Sequence, residues 1–201
     1  MANLDQNARI GPRSRLALAG LLAIVLTGCV STPAVKIFDL GQSGTAPQPV
    51  KGVAVMAVSE PFVLQILDTD RMLVRNPDGS ISALAGVQWT DRTPALVQAR
   101  LIRAFEAKGR SAIRKGSGMA ADYEVRSELT AFQVIAGDAP EIDIQIGVKL
   151  VQAADGKIIG SRLFRGRQTI GAIDGGTVSA GFDAVLAVLA DDVVRWSTAI
   201  Q

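Results

Sequence analysis

The N-terminal segment constrains this chain more than any other stretch, because it closes on the only cysteine. Leu16–Leu26 is an apolar run of eleven residues, preceded by three arginines and one aspartate. This length suits the core of a secretory signal peptide and is well short of the roughly 20 residues that a membrane-spanning helix needs. Leu26-Thr27-Gly28-Cys29 is similar to a bacterial lipobox, in which the cysteine is lipidated and the chain is cut before it. We therefore expect residues 1–28 to be a lipoprotein signal peptide; the alternative is an ordinary secretory signal beside an unrelated cysteine.

Removal of this leader changes the charge balance. The leader contains three of the 21 Lys and Arg residues and one of the 19 Asp and Glu residues, so 18 of each remain in the following 173 of 201 residues. A net charge of zero removes the electrostatic argument for nucleic acid or an anionic lipid surface as a partner. No second long apolar run follows, so we expect membrane attachment through the lipid on Cys29.

The residue types available restrict the chemistry. Histidine is absent, and the single cysteine is assigned to the lipid. This excludes Ser-His-Asp and Cys-His catalysis and the commonest zinc sites. Gly171–Gly176 has neither the GxGxxG spacing nor the lysine of a phosphate-binding loop. The sequence predicts a protein that is not an enzyme, with no catalytic residue, no metal site and no cofactor other than the covalent lipid on Cys29.

Two acidic clusters, at residues 68–70 and 138–143, are interpreted as turn or cap chemistry and as a solvated surface, respectively. Arg162, Arg165 and Arg167 are interleaved with the apolar residues Ile159, Leu163 and Phe164 along one predicted strand. We expect them to pair with acids across a sheet, the alternative being contact with lipid headgroups.

A tether at residues 29–35 precedes the predicted domain, which comprises residues 36–201. Short strands are predicted at Lys36–Leu40 and Val50–Val58, and Pro-Asp-Gly predicts a β-hairpin around residues 71–84. Thr93-Pro94 resembles a helix start, with the Thr93 hydroxyl as N-cap, and the apolar spacing continues to Lys108. Gly109 is placed to end this helix.

The second half contains the clearest strand. Residues 141–150 alternate between apolar and polar side chains, which indicates one buried and one wet face. Before it, residues 122–135 alternate with Leu129 and Ala131 on one face. After it, Asp155-Gly156 predicts a hairpin to a strand at 158–170, and a second amphipathic helix is predicted over Ser179–Ile200. The fold class is α+β: an antiparallel or mixed sheet of about six or seven strands with two amphipathic helices packed on it.

One apolar segment has neither clean strand nor clean helix periodicity. Pro61 opens it, and its apolar side chains are candidates for a partner contact: Phe62, Val63, Leu64, Ile66 and Leu67. The alternative interpretation is an irregular piece of the core. An exposed apolar patch of this kind marks a protein or membrane contact.

The order of several short motifs resembles one known family, the ABC-type transport auxiliary lipoproteins. The motifs cover nearly all of the chain after Cys29, about 170 residues. In chain order they are a lipobox, Ile37-Phe38-Asp39-Leu40, Val53-Ala54-Val55, Pro61 leading to Leu67-Asp68, Met72-Leu73-Val74-Arg75, Trp89 ahead of a Leu96/Leu101/Phe105-Glu106 helix, Ala121-Asp122-Tyr123 followed by Leu129 and Phe132, Asp155-Gly156-Lys157, and Arg162-Leu163-Phe164. Each motif is short, and their shared order carries the resemblance.

The resemblance implies a non-enzymatic periplasmic lipoprotein. Its partners would be an ABC permease and ATPase complex and a substrate-binding protein with an MCE (mammalian-cell-entry) domain, which move lipids between the two membranes of Gram-negative bacteria. It also implies self-association into a homo-oligomer. Only Cys29 is carried over as a functional position. Outside the resemblance, a structural assembly or pilot lipoprotein of an outer-membrane machine is the alternative function, and a hydrolase is a third.

The lipid anchor gives the first testable prediction. Two or more acyl chains hold a protein on a bilayer far more firmly than one, so Cys29→Ser is expected to yield a soluble or leader-tethered form without acyl labelling. Unchanged membrane fractionation together with unchanged acyl labelling would contradict the lipoprotein interpretation. Because Val30, and not an inner-membrane-retaining aspartate, follows Cys29, we expect the protein with outer-membrane markers on a density gradient.

Overall fold

A computed structural model describes residues 34–41 and 54–201, and residues 35–201 form a compact unit. The elements in chain order are β1 (Lys36–Phe38), β2 (Val55–Val58), β3 (Phe62–Val63), a 3₁₀ turn (Gln65–Leu67), β4 (Leu73–Arg75), β5 (Ile81–Ala83), β6 (Val87–Trp89), α1 (Thr93–Ala107), β7 (Ser111–Arg114), β8 (Tyr123–Ile135), β9 (Glu141–Gln152), β10 (Ile158–Thr169) and α2 (Gly175–Ala199). The predicted α+β class is confirmed.

Strand β8 is the centre of a mixed sheet. On one side it pairs antiparallel with β9 along its whole length, and β10 continues the sheet beyond β9. On the other side β2, β3 and β4 pair in parallel with successive parts of β8. Strands β7 and β5 extend β2 and β4, and β1 pairs in parallel with β6 in a separate two-stranded sheet. Short strands of the first half therefore share one edge of a long strand from the second half.

The alternation predicted for β9 is confirmed, and it defines the face on which the core lies. Ile142, Ile144, Ile146, Val148 and Leu150 are all buried, and they belong to a cluster that includes the apolar faces of both helices. Helix α2 lies directly on β10 because glycine is present there: a Cβ on Gly166 would be 2.5 Å from Val185 Cγ1. Trp89, Phe132 and Phe182 form an aromatic centre, with the rings of Phe132 and Phe182 stacked at 4.4 Å.

Both helix starts differ from the sequence prediction. Arg92, and not Thr93, is the N-cap of α1, because the Thr93 hydroxyl donates to the Thr69 carbonyl oxygen at 3.0 Å. Helix α2 begins at Gly175, four residues before Ser179. The carboxylate of Asp174 accepts hydrogen bonds from the backbone N–H groups of Gly176 and Thr177. The hydrogen bond from Thr177 is the main cause that lowers the Asp174 pKa. The predicted end of α1 is confirmed, since Gly109 follows it at φ +70°.

A β-bulge in β8 contradicts the predicted face of Ala131. The register with β9 shifts between Leu129 and Ala131, so Ala131 lies on the face opposite Leu129 and Phe132 takes the core position. Period-2 patterns cannot locate an inserted residue, because the side chains beyond it simply change face. The sequence interpretation also missed β6. Of the strand predicted at Val50–Val58, residues 50–53 lie outside the described residues, and β2 covers Val55–Val58.

Glu124 on β8 joins three separate segments through its carboxylate. Arg126 makes a two-point ion pair with it at 3.0 Å, the Lys115 ammonium lies at 3.0 Å, and the Ser59 hydroxyl donates at 2.8 Å. The side chain of Glu124 is buried, so these partners compensate its desolvation. The hydrogen bond from Arg126 is the main cause that lowers the Glu124 pKa to about 2.

The buried face of β9 gives a stability prediction. Ile144 is 0% exposed, and Ile144→Asp would place an unpaired charge in the core at a cost of about 3 to 5 kcal/mol. We expect loss of cooperative thermal unfolding or of soluble protein, with the same result for Leu101→Asp. The matched control is Val188→Asp on α2, where the side chain is 62% exposed and the melting temperature should stay within a few degrees, about 3 °C. A normal melt of Ile144→Asp would contradict the assigned core face.

The Glu124 cluster predicts a pH dependence. The pKa of Glu124 is lower in the folded state than its ordinary 4.5, so its contribution is present above pH 4.5 and is lost as pH falls toward 2. Allowing for the exposed partners, we expect Glu124→Gln to lower the free energy of unfolding at pH 7 by on the order of 2 kcal/mol. The difference should shrink steadily in urea titrations at pH 4 and pH 3. The exposed Glu128→Gln on the same strand is the control, and a pH-independent difference for Glu124→Gln would refute this role.

Candidate functional site: the open face of the sheet

The sheet has a second face, which neither α1 nor α2 covers. The register of β8, β9 and β10 arranges its side chains in rows across the strands. From one end, the rows are Glu124–Val151–Ile158, Arg126–Lys149–Ser161, Glu128–Gly147–Leu163, Ala131–Gln145–Arg165 and Gln133–Asp143–Arg167. We call this surface the open face.

A groove crosses the open face at the row that contains Gly147. Phe62 on β3 pairs with Glu128, so Phe62 and Leu163 stand at the two ends of this row with Gly147 between them. Gly147 has no side chain, and a Cβ placed there would meet nothing closer than the Glu128 carbonyl oxygen at 3.9 Å. The groove has a volume of about 530 Å³ and continues toward Val151 and Ile158. Phe62, Leu163 and Ile158 contribute apolar surface to its walls, and Gly147 leaves its floor without a side chain.

Cationic groups lie along the same groove. Lys149 and Arg126 occupy the row next to Gly147. The Arg162 side chain lies on the other face of the sheet, because Arg162 pairs with the core residue Val148 and its guanidinium carbon is 5.1 Å from the centroid of the buried Phe164 ring. Glu128 is the acidic residue of the lining. Since the Arg126 charge is balanced by Glu124, the positive charge that remains in the lining comes from Lys149.

The predicted cross-sheet ion pairing is confirmed for Arg167. Its Nε lies 3.0 Å from Asp143 Oδ1, and Glu141 is at 3.9 Å. Asp143 is buried, so its assignment to a solvated surface was wrong: the ion pair covers it. In the other acidic cluster, Asp68 pairs with Arg92, which also binds Glu60 at 2.8 Å.

The predicted contact segment is divided by the structure. Phe62, Leu64 and Ile66 are 67%, 66% and 49% exposed, whereas Leu67 is buried in the core and Val63 packs partly against it. The division follows the local structure, because Val63 pairs with the core residue Leu129 and Phe62 pairs with Glu128. We call Phe62, Leu64 and Ile66 the apolar ridge. Cys29 lies outside the described residues.

The sequence interpretation missed the groove. It placed Lys149 on the wet face of β9 but did not use Gly147, which interrupts the polar side chains of that face. A glycine at a wet position of a strand signals an open space or a close approach of another group. The contribution of Leu163 and Ile158 depends on the β10 register, which short alternating stretches do not fix.

The described residues contain no group of three or more Cys, Asp or Glu side chains placed to hold a metal ion. No helix among residues 34–41 and 54–201 is long and apolar enough to span a membrane.

Comparison with known proteins gives relatives in sequence and in fold. An uncharacterised protein from Bradyrhizobium diazoefficiens is 30% identical over 184 residues, which is 90% of this chain and 49% of the relative. The chain thus spans about half the length of the curated relative that it matches.

Solved structures share the fold. A crystal structure of a protein from Xanthomonas campestris matches with a TM-score of 0.72 and 22% identity, covering 82% of this chain and 96% of the other. A second crystal structure, of an uncharacterised protein, matches with a TM-score of 0.65 and 12% identity over 81% of this chain and 98% of the other.

The family comparison is the most specific. A model of the ABC-type transport auxiliary lipoprotein component matches residues 38–194, which include every described strand and helix except the ends of β1 and α2. Because this match covers more than half of the chain, the chain belongs to the ABC-type transport auxiliary lipoprotein family.

Proposed function

We propose that this protein is a non-enzymatic docking lipoprotein of an ABC-type system that moves lipids between membranes, with an MCE-domain protein and the permease and ATPase as its partners. The observation that carries the proposal is the family match over residues 38–194, which associates the chain with ABC-type transport. The MCE partner and the lipid cargo are the finer part of the proposal and come from the motif order after Cys29.

The anchor and the domain have separate tasks in this proposal. The lipid on Cys29 holds the protein on a membrane, and we favour the outer membrane because Val30 follows the cysteine. Six residues between the cysteine and β1 extend at most about 20 Å, so the domain stays close to that membrane. Docking through a surface of the domain then fixes the distance between partner and membrane.

The apolar ridge is the surface that we assign to docking. Phe62, Leu64 and Ile66 expose large apolar side chains within five residues, whereas the apolar faces of α1 and α2 are used in the core. Burial of three such side chains at a contact is worth several kcal/mol, about 1.5 to 3 each before the cost of association. The ridge also suits contact between copies of this chain, and we propose self-association as part of the docked assembly.

Absence of enzymatic activity is part of the same proposal. The sequence has no histidine, and the buried carboxylates of Glu124 and Asp143 are each held by arginine. A carboxylate fixed in this way stabilises the sheet and is not placed to accept a proton from a substrate. The alternative function, a structural assembly or pilot lipoprotein, shares the anchor but requires no permease or ATPase.

The apolar ridge gives the test of docking. Phe62→Ser with Leu64→Ser should leave lipidation and thermal stability intact, because both side chains are about two-thirds exposed, and should reduce co-purification of the permease, ATPase or MCE protein by about tenfold or more. Chemical cross-linking in cells followed by affinity purification and mass spectrometry measures this.

The control for this experiment is Val188→Ser, which removes an equally exposed apolar side chain from α2 and should leave the partners in place. A large fall in melting temperature of the double variant would show that the ridge is part of the core. Recovery of outer-membrane machine components, with no transport proteins, would favour the pilot alternative.

A further inference from the structure

Strand β10 is the outer edge of the large sheet, and among residues 34–41 and 54–201 no strand pairs with its free side. It pairs only with β9 and stands last in the strand order. It has 12 residues, about twice the usual length of a strand, and contains no proline. We propose that this edge binds an extended acidic segment of a partner protein, which joins the sheet as a strand antiparallel to β10. The edge is separate from the apolar ridge, and this inference does not depend on the proposed docking function.

The hydrogen bonds at the end of the ladder show which backbone groups of β10 point outward. The Ile170 N–H donates to the Pro140 carbonyl oxygen at 2.8 Å. In an antiparallel ladder, residues that bond to the neighbouring strand alternate with residues whose N–H and C=O groups point away from it. Because the register is unbroken from Gly160 to Thr169, the even-numbered residues bond to β9. The groups that point to the free edge are those of Ser161, Leu163, Arg165, Arg167 and Thr169.

These outward groups form no hydrogen bond within the part of the chain that the structure describes. An added strand would pair with them, and its own N–H and C=O groups would be paired in the same ladder. Leu163 is 49% exposed on this strand, so the added strand would also cover an apolar side chain. The backbone of β10 therefore supplies a template for an extended segment, and its side chains select the segment.

The side chains of β10 select by charge. The strand contains three arginines and no acid. Arg167 is paired with Asp143. Among residues 34–41 and 54–201 no acid forms an ion pair with Arg162 or Arg165. The Arg165 side chain is on the open face and the Arg162 side chain is on the other face beside the Phe164 ring, so an added strand would meet one cation on each of its faces. Opposite charges on neighbouring strands stabilise the pairing.

The same arginines disfavour the other occupants of this edge. A second copy of the chain that paired through β10 would bring three arginines from each strand together without any acid. Residues 42–53 contain no acid and include Pro47 and Pro49, which cannot donate to a ladder. Residues 1–33 contain a single acid, Asp5, in the predicted leader. An acidic segment from another protein therefore complements the edge best.

The sequence of β10 also fixes the side-chain pattern of the partner. In an antiparallel strand, the residue that faces Arg165 comes two positions before the residue that faces Leu163 and three before the residue that faces Arg162. The pattern that complements the edge is therefore acid, any residue, apolar residue, acid. The octapeptide Ser-Thr-Glu-Thr-Val-Glu-Thr-Ser has this pattern, and with blocked ends it is the probe for the test.

Binding of the fluorescein-labelled octapeptide to the full lipidated protein in detergent micelles tests the proposal. We expect saturable binding by fluorescence anisotropy with a Kd at or below about 1 mM. Amide exchange resolved by ¹⁵N NMR should slow at Leu163 and Arg165, whose N–H groups are outward, and stay unchanged at Phe164, whose N–H is already bonded to β9. The same peptide with lysine in place of both glutamates should bind about fivefold more weakly or less well still.

Backbone methylation of the probe separates strand addition from simple charge attraction. The third and fifth peptide residues face Arg165 and Leu163, so their N–H groups would donate to β10. N-methylation of these two residues should weaken binding by about tenfold or more. N-methylation of the fourth and sixth residues is the matched control and should preserve binding, because those N–H groups point away from β10.

Charge variants of the protein locate the contact. Arg165→Glu changes an exposed side chain, so it should leave the melting temperature unchanged, weaken binding of the acidic probe by about fivefold or more and restore binding of the lysine probe. Arg71→Glu makes the same charge change at an exposed position outside β10 and should have no effect. Thermal melting of each variant shows that the fold is retained.

Several results would overturn the proposal. They are no saturable binding at probe concentrations up to about 5 mM, equal binding of the acidic and lysine probes, or equal loss of binding for the two methylation patterns. Outward amides of β10 that are already protected from exchange in the protein alone would also overturn it, because they would show that a second copy or a segment of this chain occupies the edge.

Discussion

The antiparallel pairing of β8 with β9 is the interaction on which the rest of this structure depends. It extends from Tyr123–Gln152 at one end to Ile135–Glu141 at the other. The pairing creates two faces of different chemistry, because one side of β9 carries only Ile, Val and Leu from Ile142 to Leu150, while the other contains Glu141, Asp143 and Lys149. Both helices and the aromatic centre lie on the first face, and the ion pairs of Glu124 and Asp143 lie with the groove on the second.

Glycine has opposite effects on the two faces of the sheet. At Gly166 the missing side chain is replaced by Val185 and Leu189 of α2, so the space is filled by protein. At Gly147 nothing replaces it, and a groove remains. The same residue type therefore allows close packing in one place and leaves a cavity in another, depending on whether a helix covers that face.

The sequence predicted those parts of the fold that depend on local patterns. The alternation of β9, the Asp155-Gly156 hairpin and the end of α1 at Gly109 follow from side-chain period and turn chemistry. The sequence prediction failed where a residue distant in the chain determines the local structure. Thr93 does not cap α1 because the Thr69 carbonyl takes its hydroxyl, and the face of Ala131 depends on a bulge in the register with β9. Within the candidate site, Phe62 was foreseen, but the groove arises only when β3, β8, β9 and β10 are aligned.

Strand β1 has a mechanical consequence, since any tension along the chain from the N-terminal side reaches the domain there first. Its ladder with β6 contains three residue pairs and is not part of the large sheet. Short ladders open at lower free energy than long ones, so β1 would detach while β8, β9 and β10 keep their register. Opening of this short ladder would lengthen the chain ahead of the domain and leave the large sheet folded.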